Sequence, residues 1–221
     1  GLTVKLLALF VMGGCQGLLG WYMVKSGLVD RPDVSQYRLT AHLGLAIAVY
    51  AFMVWLIIGL TSPHRAVPPI ASWRSLWLVG LVYLMILSGG FVAGTDAGYS
   101  YPTWPLMGDS FLPPALYADG WISAFEQVTT IQFNHRMFAY FIVCVVAVVA
   151  VRNLMLSSDT RLRTSVYLLL SALTAQVVLG ISALLSHIAV PVAAAHQSGA
   201  VVLLTATLFF AHARITEKSR I

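Results

Sequence analysis

Six long apolar segments constrain this chain more than any other feature. They lie at about 3–24, 38–61, 74–95, 129–151, 163–185 and 192–213. About 20 apolar residues are enough for a helix to cross a bilayer. Charged residues make up only 10% of the chain, against about 25% in a soluble domain. The sequence therefore predicts an all-α polytopic membrane protein with six transmembrane helices, whose main surroundings are the lipid bilayer.

Lysine and arginine are distributed unequally between the two ends of these segments. One side carries three of them, namely Lys25, Arg31 and Arg38. The other side carries nine, namely Lys5, Arg65, Arg74, Arg152, Arg161, Arg163, Arg214, Lys218 and Arg220. The positive-inside rule then places both termini in the cytoplasm or the mitochondrial matrix. These charges are spread thinly and form no dense basic patch, so we expect no nucleic-acid partner.

The first hairpin of the chain resembles a copy of the last. Matching positions are Gln16 and Gln176, Gly20 and Gly180, Ser26 and Ser186, and His42 and His196. The copies are four segments apart and so have the same orientation, which predicts a parallel repeat of four-helix units. The last four segments would form one complete four-helix bundle, and the first two would form half of a repeat-related bundle. We expect the hairpin that completes the second bundle to be absent from the chain as given.

The repeat also predicts the domain organisation. Residues 1–61 would be the second hairpin of an N-terminal half, 62–73 an inside linker, 74–214 the C-terminal bundle and 215–221 a tail. Cys15 and Cys144 lie inside separate apolar segments. We interpret both as small buried residues, because a disulfide framework or a thiolate metal site needs clustered or loop cysteines.

Three histidines lie inside the apolar segments, where polar groups are costly and tend to be functional. His42, His135 and His196 are each about four to eight residues from the outer end of their segment, and therefore at similar depth. Two imidazoles on facing helices of a bundle can hold a haem iron. Gly44 and Gly199 would leave clearance for a flat macrocycle. Zinc is less favoured, since no Cys, Asp or Glu lies at this depth to complete its site.

Other polar residues near this depth are further candidates for contact with a haem. They are Gln16, Gln176, Gln197 and Arg136. The guanidinium of Arg136 either extends to the interface or pairs with a carboxylate such as a haem propionate. The remaining histidines, His64, His187 and His212, are near segment ends, and we interpret them as interfacial.

Several stretches of the chain resemble haem A synthase, most closely its mitochondrial and alphaproteobacterial branch. They are residues 16–28, 34–39, 42–43, 90–98, 104–107, 132–136 and 195–199. The resemblance covers nearly the whole chain. It implies an eight-helix protein in two halves that oxidises a methyl group of haem O to the formyl group of haem A, for cytochrome c oxidase assembly. It also implies a mitochondrial inner membrane or a bacterial plasma membrane.

The resemblance assigns roles to the three membrane histidines. His135 and His196 would be the axial ligands of a haem b, which is an iron cofactor, in the C-terminal half. His42 would face the substrate haem O, opposite a second histidine that these residues do not include. The family's catalytic glutamate would also lie outside them, and Gln132 occupies its repeat-equivalent position. Candidate partners implied are haem O synthase, cytochrome oxidase assembly factors and further copies of the chain.

Two alternatives to an enzyme remain open from the residues alone. The first is a membrane cytochrome b with two histidine ligands that only carries electrons, and the second is a transporter or scaffold with structural histidines. The long acidic loop at residues 96–127 favours the enzyme, because loops of this length are usually functional. We expect residues 1–221 alone to keep haem b and to lack haem O conversion.

Overall fold

The computed structural model describes residues 1–27, 34–62 and 73–217. These residues form six long helices, α1 (Leu2–Gly27), α2 (Gln36–Thr61), α3 (Trp73–Gly94), α5 (Val128–Leu156), α6 (Thr160–Leu185) and α7 (Val190–Ile215), and a short helix α4 (Ser123–Glu126). Within the described ranges no strand is formed, and one isolated bridge joins Met107 to Ser110. The predicted all-α class is confirmed.

All six long helices are apolar and long enough to cross a membrane, so the chain is a multi-pass membrane protein. The predicted segment ends lie within three residues of the observed ones except at the end of α5. This helix continues to Leu156, past the predicted end at residue 151. The Asn153 side chain donates to the Val149 carbonyl at 2.6 Å and accepts from Arg214 at 2.8 Å. Because both ends of its amide are satisfied, this polar residue does not terminate the helix.

Hydrogen bonds define both ends of α6. At its start, Asp159 caps the helix by accepting from the backbone N–H of Leu162 at 2.9 Å, as helix N-caps commonly do. At its other end, the N–H of Ile188 donates to the Ala183 carbonyl at 2.8 Å, and the N–H of His187 donates to the Leu184 carbonyl at 3.1 Å. This is the Schellman pattern of helix termination. His187 is exposed in this turn, in agreement with the predicted interfacial position.

The chain divides into two compact units. Unit one contains residues 1–53 and 86–135, and unit two contains residues 54–85 and 136–221. The division falls inside α2, α3 and α5, so each of these helices contributes to both units. The units do not coincide with the limits predicted from the repeat, 1–61 and 74–214, which stay a prediction. Most of the predicted linker at 62–73, His64 and the last four residues of the predicted tail lie outside the described residues.

Burial differs strongly among the helices. In the described part of the chain, α1 contains no buried residue, whereas half of the residues in the most apolar 18-residue stretch of α7 are buried. The core of unit two includes α6 and α7, with Val166, Leu169 and Leu204 fully buried, and α3 and α5 add Val82 and Val146. Both cysteines are exposed, so the prediction that they are buried is wrong. Their helices turn them outward, where a small apolar side chain suits lipid contact.

Candidate functional site

The three membrane histidines occupy equivalent positions along their helices. His42, His135 and His196 lie six, seven and six residues after the first residue of α2, α5 and α7. At 1.5 Å per residue this corresponds to about 9–10 Å from each helix start. All three rings are partly buried. Each therefore lies inside its helix at the distance that the sequence predicted.

In the first hairpin, α1 contacts the ring of His42 through two residues one turn apart. Gln16 Nε2 lies 3.2 Å from His42 Nε2 and donates to the His42 carbonyl at 3.1 Å. A Cβ atom added to Gly20 would lie only 3.0 Å from His42 Cε1. Gly20 therefore allows α1 to approach the ring. Within the described residues, His42 Nδ1 and Gln16 Oε1 are buried without a hydrogen-bond partner.

The last hairpin repeats this arrangement. A Cβ atom added to Gly180 of α6 would lie 2.8 Å from His196 Cε1 and 3.3 Å from its Nδ1. His196 Nδ1 and Gln176 Oε1 are again buried, and neither has a hydrogen-bond partner in the described ranges. The glutamine, the glycine and the histidine thus recur at the positions that the sequence repeat predicted.

One difference separates the two hairpins. The Gln176 side chain lies against Gly199, where an added Cβ atom would collide with its Oε1. The first hairpin has Leu45 at the matching position, and Gln16 contacts His42 instead. Gly199 therefore makes room for a glutamine side chain, which sequence reasoning did not foresee. Its predicted clearance for a macrocycle stays a prediction, as does that of Gly44, which is buried on α2.

His135 is contacted by two neighbouring residues of α3. The Ser88 hydroxyl shares a hydrogen bond with His135 Nδ1 at 3.0 Å, and a Cβ atom added to Gly89 would lie 3.5 Å from His135 Cε1. A hydrogen bond to one ring nitrogen typically orients a histidine whose other nitrogen binds a metal. Sequence reasoning missed Ser88. A polar residue followed by two glycines in an apolar segment was the available signal.

Gln132, one turn before His135, has a clear structural role. Its side chain is buried, and its Nε2 donates to the carbonyls of Gly98 and Tyr101 at 3.2 Å each. An ionised carboxylate has no proton to donate, so a glutamate could not make these two bonds. Gln132 therefore anchors the start of the 96–127 loop to α5.

The same loop also contacts α2 near its first residue. Glu126 accepts from Gln36 Nε2 at 3.1 Å and from the Tyr37 hydroxyl. The Tyr117 hydroxyl donates to the Asn134 side chain at 2.9 Å, directly beside His135 in sequence. Within unit one, the loop thus covers the helix ends that carry His42 and His135.

The remaining predicted contact residues differ in their surroundings. Arg136 is buried on α5 with 8% of its surface exposed, which does not support the interpretation that its guanidinium extends to the interface. Gln197 is exposed on α7. His212 is 1% exposed, with Arg161 Nη1 3.2 Å from its Nδ1 and the Trp55 ring 5.4 Å from its own. It lies near a helix end, as expected, but it is a core residue and not a surface one.

The residues around the histidines fit a haem. Among the described residues, no group of three or more His, Cys, Asp or Glu could hold a bare metal ion. A haem needs only one or two imidazoles from the protein, because the macrocycle supplies the other iron ligands. His42, His135 and His196 each carry one such imidazole inside a long apolar helix. Gly20, Gly89 and Gly180 lie beside these rings and leave them room between the helices.

Comparisons with known proteins identify the family. The model of the COX15-CtaA family, described as a cytochrome oxidase assembly protein, matches residues 1–208. The chain belongs to this family. A Nitrosospira multiformis protein named "Heme A synthase" is 45% identical over 218 residues, covering 96% of this chain and 61% of that protein. The human "Heme A synthase COX15" is 40% identical over 222 residues, covering 95% of this chain and 54% of the human protein.

These comparisons confirm the predicted family. The mouse "Heme A synthase COX15" is also 40% identical, over 224 residues. Relatives named heme A synthase match nearly the whole chain. They do not support the alternative that the chain is a cytochrome b that only carries electrons. The chain spans 54–61% of the length of these relatives.

Proposed function

We propose that this COX15-CtaA chain acts in haem A synthesis, as an oxidoreductase that converts a methyl group of haem O to the formyl group of haem A. The observation that carries the proposal is the duplicated arrangement of glutamine, glycine and histidine in the α1–α2 and α6–α7 hairpins. Two equivalent histidine sites suit two haems. One would be the resident cofactor and the other the substrate.

The resident cofactor in this proposal is a haem b held by His135 and His196. When bound there, the haem would supply one-electron transfer. Ser88 would orient His135 through Nδ1. Gly180 would leave His196 the space that its ring needs beside α6.

Haem O would bind at His42. In two successive oxidations the methyl group and one water molecule would give the aldehyde, with release of two protons from the methyl group and two from the water. An electron acceptor outside the chain would take the four electrons. Gln16 and Gly20 would set the orientation of the His42 ring. None of the eight Asp and Glu residues lies inside an apolar segment. Residues 1–221 thus offer no carboxylate inside a membrane segment as the base that removes protons.

The proposal is tested in membranes that lack their own haem A synthase. The complete gene product, supplied with haem O, is expected to yield haem A in the extracted haems, and His42→Ala is expected to remove it. A haem b spectrum without any haem A would instead support a protein that only carries electrons.

We propose that the protein lies in a mitochondrial inner membrane or a bacterial plasma membrane, as the resemblance to haem A synthase implies. From the asymmetry of lysine and arginine we predict that both termini face the matrix or cytoplasm. A tag after Ile221 should resist protease added to intact cells or mitoplasts and be cleaved once the membrane is permeabilised. Cleavage without permeabilisation would contradict this topology.

We predict that Gly180→Ala weakens haem b binding at least severalfold. The new Cβ atom would lie 2.8 Å from His196 Cε1, so the ring must move, at a cost of about 1–3 kcal/mol for overpacking. Haem b per chain is measured by absorbance after purification. Gly80→Ala is the matched control, since a Cβ atom there meets nothing within 4 Å. Equal haem content in the two variants would contradict the contact.

A further inference from the structure

Unit two contains an apolar groove that the histidines do not use. It has a volume of about 450 Å³ and is formed by residues of α3, α5 and α7. Its wall on α5 consists of Phe141, Cys144, Val145, Val148 and Val149. These residues recur at the three- and four-residue spacing of one helix face. The groove therefore follows α5 for about 12 Å at 1.5 Å per residue.

Two arginines are located at one end of this groove. Arg152 and Arg214 both line it, together with Asn153. Arg214 Nη1 donates to the Asn153 side chain at 2.8 Å, which fixes the direction of its guanidinium. Arg152 is exposed, and among the described residues it has no hydrogen bond or ion pair. The groove thus combines a long apolar wall with a cationic end.

Acidic residues near these helix ends are engaged elsewhere. The Asp159 carboxylate caps α6 by accepting from the Leu162 N–H, and Glu217 accepts from the Ser157 hydroxyl. Arg214 is bonded to a neutral amide, which leaves its charge unneutralised. An anion is therefore the ligand that complements this end of the groove.

We propose that the groove binds an anionic phospholipid, with an acyl chain along the apolar face of α5 and the phosphate at Arg152 and Arg214. Arginine forms strong charge-assisted hydrogen bonds to phosphate. Basic pockets between membrane helices commonly bind anionic headgroups. Trp77 lines the groove and is half exposed, as suits an aromatic residue at a membrane interface. A zwitterionic lipid would bring a second cation towards the two arginines.

Native mass spectrometry of the purified protein tests this site with two lipids of identical acyl chains, phosphatidylglycerol and phosphatidylcholine. We expect phosphatidylglycerol to bind at least about fivefold more tightly, because its net negative charge complements the two arginines. Arg152→Gln with Arg214→Gln should remove this preference. Val148→Trp, which fills the groove, should weaken both lipids.

Lys5→Gln is the matched control, because Lys5 is an exposed cation on α1, which does not line the groove. It should leave the preference unchanged. Arg152→Gln alone keeps the hydrogen bond from Arg214 to Asn153, so it can be used if the double variant does not fold. It should reduce the preference for phosphatidylglycerol severalfold. Equal binding of the two lipids to the parent protein would overturn the site. So would a preference that survives the double variant, or one that Lys5→Gln reduces equally.

Discussion

His196→Ala should remove the low-spin haem b spectrum of this COX15-CtaA protein. In the proposed site His196 supplies one of two axial imidazoles, and alanine has no donor to replace it. The iron would become five-coordinate and high-spin, or the haem would be lost. Absorbance and electron paramagnetic resonance of the purified variant measure the change. We expect His135→Ala to have the same effect, because both ligands belong to one iron.

Two other histidines are controls for this substitution. His187→Ala changes an exposed turn residue and should leave both spectrum and yield unchanged. His212→Ala removes a buried ring that contacts Arg161 and Trp55. It should lower stability by about 1–3 kcal/mol, as loss of a buried hydrogen-bond partner does, while the folded fraction keeps the low-spin spectrum. An unchanged spectrum in His196→Ala would refute the ligand assignment.

A second large effect is expected from residues 1–221 expressed alone with a supply of haem O. They should retain haem b and form no haem A. The described structure gives the α6–α7 hairpin its complete Gln–Gly–His arrangement, and His135 its Ser88 partner. No further membrane histidine remains in the sequence to oppose His42, and no carboxylate lies in an apolar segment. Catalytic groups must be positioned around the reacting carbon for proton removal.

Analysis of the extracted haems shows whether haem b is retained and whether haem A is formed. His42→Ala within the same residues should leave the haem b spectrum unchanged, since His42 is proposed to face the substrate. Haem A above background would show that residues 1–221 hold a complete catalytic site. In that case the assignment of His42, or the inventory of acid and base groups, would be wrong.

Helix positions were largely predictable because membrane helices depend on length and apolarity, which the sequence displays directly. The end of α5 was not. Arg152 and Asn153 look like a segment boundary in sequence, but Asn153 is satisfied by Val149 and Arg214. Whether a polar residue ends a helix depends on partners from another helix, and a linear pattern does not contain them.

The candidate site was predictable where it rests on repetition and chemistry. His42 and His196 were marked by equivalent positions, and the structure gives both the same glycine contact. Ser88 beside His135 and the loop anchor at Gln132 depend on packing across helices. From the sequence, Gln132 was interpreted only as a neutral residue at the repeat-equivalent position of a glutamate. The structure shows that the amide donates to the carbonyls of Gly98 and Tyr101, and the linear sequence does not contain these contacts.

We propose that this chain holds one haem b between two histidines. This proposal is tested most directly by purifying residues 1–221 from haem-replete cells and measuring haem content and electron paramagnetic resonance together. We expect one haem b per chain with the low-spin signal of two imidazole ligands. A preparation that is folded and helical but has no Soret band, or only a high-spin five-coordinate signal, would contradict it.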